Sequence, residues 1–137
     1  MAVLSEEQTM LRDMAREWTT NESPVTAFRK FRDLAPACGY DANAFKTMAE
    51  MGWAGIVIPE KFGGSDFGWL SLGLVLEETA KTLTASPLAS SALAASALVL
   101  GGSDGAKAAW LPKLASGEAV GTLAIDEGPR HNPAAIA

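Results

Sequence analysis

The stretch PEKFGGSDFGWLSLGLVLEETAK, Pro59 to Lys81, sets two adjacent glycines a few residues ahead of a long apolar segment. If Gly63-Gly64 is a phosphate cradle, the chain is a nucleotide-binding α/β protein. If it is a structural turn, the chain is helical. A Walker-type loop needs Lys-Ser/Thr after its last glycine, and here Ser65-Asp66 follows. A dinucleotide fingerprint needs Gly-x-Gly-x-x-Gly between a strand and a helix, which Gly63, Gly64 and Gly68 do not match. Asp66 would also repel a phosphate. The stretch therefore reads as a tight turn using the conformational freedom of glycine.

Downstream of the turn, Trp69, Leu72, Leu76, Ala80 and Leu83 recur at helical spacing, predicting a helix over 69–83. Leu70, Leu74 and Val75 widen its apolar surface, so its first half is expected to be buried all round. Glu77 and Glu78 point about 100° apart on such a helix and cannot form a catalytic dyad. Glu77 is placed to pair with Lys81 at i+4, with Glu78 on a polar edge. Upstream, Ile56-Val57-Ile58 before Pro59 reads as an extended, buried connector.

Further out, Ser5 and Gln8 form a capping box for a helix that carries Leu11, Met14, Ala15 and Trp18 on one face. Ser23-Pro24 opens a second helix with Phe28, Phe31 and Ala35 inward. Asp41 caps a third, with Phe45, Met48 and Ala49 apolar, and Gly52 is placed to end it in a left-handed conformation. Ser86-Pro87 opens a helix to Leu100, and Ser103 caps another that Pro112 kinks or ends. On the former, Ala89, Ala92, Leu93, Ser96, Ala97 and Leu100 share a face of small side chains. Another helix or a flat, narrow ligand fits such a face.

The pattern changes at Gly117, where 117–125 read as a lone strand. A lone strand leaves its backbone groups unpaired. The chain is therefore expected to end just inside a second, β-rich domain. The predicted fold class is all-α, a bundle of about six helices, followed by a short β segment.

Composition excludes several functions. The 137 residues carry a net charge of −5, with basic residues scattered, which argues against nucleic acid and against an anionic membrane surface. Cys38 is the only cysteine, so neither an internal disulfide nor a cysteine-based metal site can be built, and no His, Cys or carboxylate cluster has metal spacing. His131, the only histidine, has no evident orienting partner for a general base. The opening residues lack a signal-peptide pattern, and Leu88–Leu100 is too short to span a bilayer. A soluble, cytoplasmic protein is expected.

Met48 to Gly64 (MAEMGWAGIVIPEKFGG) resembles the acyl-CoA dehydrogenase signature LGLLGLxxPExYGG. Leu74 to Ala80 (LVLEETA) is similar to that family's VLEELA helix. Gly102 to Glu118 (GSDGAKAAWLPKLASGE) is similar to its GTxxQKxxxLPxLASGE, and Leu4-Ser5-Glu6-Glu7-Gln8 also fits. The likeness implies an N-terminal helical domain over 1–117 and the start of a middle β domain over 118–137. A C-terminal helical domain, which supplies the glutamate base, would lie outside this chain. No catalytic residue is therefore assigned here.

The resemblance further implies FAD, an acyl-CoA substrate, electron-transfer flavoprotein as a possible partner, and homo- or hetero-oligomers. Leu123, Ile125 and Asp126 take the places of flavin-contacting positions. Asp126 replaces the family's usual threonine, and an aspartate there opposes the reduced, anionic flavin by like charge. Residues 85–97 match the base of the acyl pocket, giving Ala85, Ala89, Ala92, Leu93 and Ser96 as pocket candidates. The segment from Thr84 to Leu88 resembles a subgroup acting on steroids and other bulky acyl-CoAs. The chain alone is expected to be inactive. A non-catalytic partner subunit of a heteromeric dehydrogenase, or a free-standing helical interaction module, are the alternatives.

Overall fold

The structure, a computed structural model, describes residues 3–35 and 37–124. Six α-helices follow one another: α1 (Glu6–Glu22), α2 (Val25–Leu34), α3 (Ala42–Glu50), α4 (Gly68–Lys81), α5 (Leu88–Gly101) and α6 (Asp104–Ala115). Two short 3-10 turns, Trp53–Gly55 and Glu60–Phe62, lie between α3 and α4.

The helix starts follow from local chemistry. The Ser5 hydroxyl accepts from the Gln8 N–H while the Gln8 side chain accepts from the Ser5 N–H, closing a capping box. Asp41 accepts from the N–H groups of Asn43 and Ala44, and the Ser103 hydroxyl accepts from Ala106. Gly52, at φ 81°, follows α3 as expected. Pro112 does not end α6, which runs through to Ala115. The ring removes one N–H donor, and the carbonyl it would have served belongs to exposed Ala108, where water can take the donor's place.

α1 lies along α4, while α5 and α6 pack on each other and on the 3-10 turns. Leu11, Phe45, Met48, Trp53, Leu72 and Val75 fill the main core, and Ile58, Ala95, Leu111 and Leu114 fill a second cluster under α6. Trp53 is fully enclosed and meets Trp18 edge to face, with ring centroids 5.5 Å apart.

Several expected faces are rotated. On α4 the buried residues are Ser71, Leu72, Leu74, Val75, Glu78 and Thr79, whereas Trp69 and Leu70 are about half exposed. The helix stops at Lys81, short of the expected residue 83, and Leu83 lies past its end, half exposed at φ 57°. The first half of α4 is therefore not buried all round: α1 covers one side only. Met14 is likewise exposed, and α1 buries Leu11, Ala15 and Thr19. α2 has no fully buried residue; Phe28 and Phe31 are half-buried, and Ala35 is exposed at φ 42°. Ile56 and Ile58 are buried as expected, but they belong to a series of tight turns, not to an extended connector.

The glycine stretch is a structural turn. Gly63 adopts φ 85° at the end of the second 3-10 turn. A Cβ on Gly64 would stand 1.9 Å from the Ile58 carbonyl oxygen, so the turn closes only without a side chain. The N–H groups of Ser65, Asp66 and Phe67 donate to the carbonyls of Gly55, Ile58 and Ile56 at 3.0, 3.0 and 2.8 Å. These amides are consumed inside the loop and none is free to cradle a phosphate.

The expected strand over 117–125 is absent among the described residues. Through 118–124 the chain runs without a ladder because no second strand lies beside it. The two-residue alternation persists: Gly117, Ala119 and Gly121 turn inward, and Glu118, Val120 and Thr122 outward. The inward N–H groups bond to the helices instead, Ala119 to the Lys113 carbonyl and Gly121 to the Ser91 hydroxyl.

Candidate functional site

α5 begins at Leu88, whose N–H donates to the Ser86 hydroxyl at 3.2 Å. Apolar and small residues surround it, so it can be approached on more than one side. Spacing by four and then three residues puts Ala89, Leu93 and Ser96 on one outward stripe. Ala89 is exposed at the lip of a cleft of about 310 Å³ between α4 and α5, opposite Leu76, Ala80 and Leu83. Leu93 is half exposed, and the Ser96 hydroxyl donates to the Ala92 carbonyl at 2.8 Å. Ala92 itself is turned into the core, only 2% exposed. Ala85 precedes the helix, half-buried, and its carbonyl accepts the Asp41 N–H at 2.9 Å. Of the five pocket candidates, the structure joins three in a stripe and sets Ala92 and Ala85 apart from it.

A larger apolar groove, about 610 Å³, lies against a different set of α5 residues. Ala94, Ala97 and Leu98 form its floor, Trp110 and Leu114 of α6 one side, and residues 119–123 the other. Leu123 lines this groove, not the Ala89 cleft. The flavin candidates Ile125 and Asp126 lie outside the described residues. The groove escaped sequence reasoning because its far wall is the 119–123 segment, whose placement depends on tertiary contacts. The signal available was the run Ala94, Ala97, Leu98 and Gly101 at helical spacing.

This groove does not by itself provide a flavin dinucleotide site. The groove's lining is apolar apart from Thr122 and backbone, and it includes no cation for a pyrophosphate. The Gly121 N–H is already bonded to Ser91. Leu123 and Trp110 could touch the face of a flat ring and no more.

The other polar centre is buried. Glu78, placed by its spacing on a polar edge, is 2% exposed between α1 and α4. Arg16 donates to it through Nη2 at 3.0 Å and Nε at 3.5 Å, and Lys81 Nζ donates at 2.9 Å. Lys81 also meets Glu77 at 3.0 Å, the pair expected from the i+4 spacing. The Arg16 hydrogen bond above all holds the Glu78 carboxyl below the usual carboxylate range, against the opposing pull of burial; Lys81 adds to the effect. A carboxylate so held is a poor proton acceptor at neutral pH, and its observed contacts join α1 to α4. Among the described residues, no group of three His, Cys, Asp or Glu side chains could hold a metal ion, and no helix is long and apolar enough to cross a membrane.

The family described as "Acyl-CoA dehydrogenase, N-terminal domain" matches residues 5–118. The chain belongs to that family. It is 38% identical over 128 residues to (2S)-methylsuccinyl-CoA dehydrogenase of Cereibacter sphaeroides, an alignment covering 90% of this chain and 22% of the relative. Among solved structures, glutaryl-coenzyme A dehydrogenase in complex with glutaryl-CoA superimposes with a TM-score of 0.75 at 30% identity, over 97% of this chain and 34% of that one. A variant of the Tcur3481-Tcur3483 steroid ACAD superimposes with a TM-score of 0.80 at 27% identity, over 89% of this chain and 33% of that one. The chain thus spans between about a fifth and a third of the length of these relatives.

Proposed function

We propose that this chain is the N-terminal helical part, with the start of the middle domain from residue 118, of an FAD-dependent acyl-CoA dehydrogenase. The observation that carries the reading is the family match over residues 5–118 together with the small share of each relative that the chain covers. In this reading the α,β-dehydrogenation of an acyl-CoA thioester belongs to the longer protein, and FAD supplies the hydride acceptor when bound. The base comes from elsewhere in that protein, and the chain alone is inactive. Electrons pass on to an electron-transfer flavoprotein.

This chain's contribution is to shape the acyl end of the site. The stripe Ala89, Leu93 and Ser96, with Ala85 and Ala92 at its margins, forms the base of the acyl pocket. Its small side chains leave room for a bulky or steroid-type acyl group, a reading supported by the likeness to a steroid ACAD. Leu123, Ile125 and Asp126 lead towards the flavin. The Asp126 carboxylate favours a second reading, a partner subunit that lacks flavin chemistry within a heteromeric dehydrogenase.

The test starts from the native polypeptide that contains this segment. It is isolated from its source cells, weighed, and examined for flavin absorbance and acyl-CoA-dependent dye reduction. A product far above 14.3 kDa that bleaches with acyl-CoA supports the dehydrogenase. A large product without flavin, purified with a flavin-bearing subunit, supports the partner reading. A product of 14.3 kDa rules out an autonomous dehydrogenase and leaves a helical interaction module or a remnant that works only with a partner.

A further inference from the structure

The last described stretch is held to the helices by one side chain. The Ser91 hydroxyl, 2% exposed on α5, accepts the Gly121 N–H at 3.2 Å and faces the Gly121 carbonyl oxygen at 3.5 Å as donor. One buried oxygen thus serves both backbone groups of a single residue. The approach demands glycine: a Cβ on residue 121 would stand 2.7 Å from the Ala94 Cβ and 3.2 Å from Leu114 Cδ2. Before this point the chain is tied to the end of α6 by Gly117 N–H to the Leu114 carbonyl and Ala119 N–H to the Lys113 carbonyl. Beyond it, among the described residues, Leu123 borders the apolar groove.

The geometry points to Ser91 as a positioning residue. Its hydroxyl clasps Gly121 and so fixes the register in which the chain crosses α5 and presents Leu123 on the groove. A slip of one residue would turn Val120 or Thr122 against Ala94, where even a methyl group collides. The hydroxyl and the missing side chain act together: the first selects residue 121, and the second admits it. The consequence for a second domain rests on the function proposed above, since the clasp would set where that domain starts. The clasp itself rests on the helical unit alone.

Amide hydrogen exchange on the 137-residue chain tests it. In Ser91→Ala, exchange at Gly121, and to a smaller extent at Ala119 before it, is expected to rise, about tenfold at Gly121, while the amides of Val75 and Leu111 keep their protection. Unchanged exchange at Gly121 would overturn the clasp. A uniform loss of protection in every helix would also overturn it, by showing that Ser91 acts through general packing. Gly121→Ala approaches from the other side and is expected to release the same residues. Adding Ala94→Gly removes the colliding methyl and should restore protection. Release that Ala94→Gly does not reverse would count against the register argument. These readings concern the helical unit only, so a failed flavin assay leaves them standing and a failed clasp leaves the flavin assay open.

Discussion

Arg16 of α1 and Glu78 of α4, 62 positions apart, meet through two guanidinium nitrogens, at 3.0 and 3.5 Å from the carboxylate oxygens. The carboxylate is buried, whereas Arg16 and Lys81 are about half exposed. The asymmetry decides what each substitution does. In Glu78→Ala both cations turn to water at little cost, and the loss is mainly that of the helix-to-helix link. We expect about 2 kcal/mol, a fall in Tm on the order of 8 °C in a thermal melt. In Arg16→Ala the carboxylate stays buried with Lys81 alone. Its Tm should fall further than that of Arg12→Ala, whose partner is the exposed neighbour Asp13.

The same cluster gives stability a pH dependence with a defined sign. The folded-state pKa of Glu78 lies below its unfolded value, so its contribution is present above the ordinary carboxylate pKa. It is lost as pH falls through the lowered folded pKa. Lys81 is the mirror case: its pKa is raised, chiefly by the Glu78 hydrogen bond and then by that of Glu77. Its contribution is full below the ordinary lysine value and is lost as pH rises through the raised one. Urea denaturation should show Glu78→Gln well below the parent in stability at neutral pH, with the gap closing only below the carboxylate range. A gap that stays constant down to pH 2 would refute the assignment.

Glycines in this chain divide by what a methyl group would meet. At Gly64 it meets backbone, 1.9 Å from the Ile58 oxygen and 2.6 Å from the Gly55 oxygen, and backbone cannot step aside. Gly64→Ala should cost upward of about 3 kcal/mol and leave little folded protein at 37 °C. At Gly73, in the exposed middle of α4, nothing lies within 4 Å. Gly73→Ala should stabilise the chain by about 0.5–1 kcal/mol through helix propensity and a restricted unfolded state. Paired melts of the two variants check both.

What the sequence reveals and what it hides follow from one physical distinction. Caps, turns and periodicity are local: Ser5 with Gln8, Asp41, Gly52 and Ser103 are legible because each acts within four residues of itself. Which side of a helix is covered is not local. Leu70 and Trp69 carry the apolar signal, but α1 lies on the side of Ser71 and Glu78, so a serine and a glutamate are buried while a tryptophan is exposed. Glu78 could be read as a polar-edge residue because its partner Arg16 is far away in the chain. The alternation over 117–121 was legible, but its partners, Lys113 and Ser91, lie on helices and not on a strand. In the candidate site spacing put Ala89, Ala92, Leu93, Ser96 and Ala97 on one face. The structure keeps Ala89, Leu93 and Ser96 there, turns Ala92 into the core and gives Ala97 to the groove, whose far wall needed the returning chain to exist.

The two sides of α5 make opposite predictions for the same substitution. Ala89 lies at an open cleft, so Ala89→Phe can extend over Leu76 and Leu83 without displacing the core. It should leave Tm within about 1 °C, a surface effect. Ala92, turned inward beside Leu88, has no such room. Ala92→Phe should overpack the core and cost about 3 kcal/mol or more. If the stripe forms the base of an acyl pocket in the longer protein, Ala89→Phe should also raise KM for a bulky acyl-CoA at least tenfold more than for a short one. That selective loss in a stable variant separates a lining residue from a packing residue. Equal KM values for both substrates in Ala89→Phe would remove the stripe from the pocket.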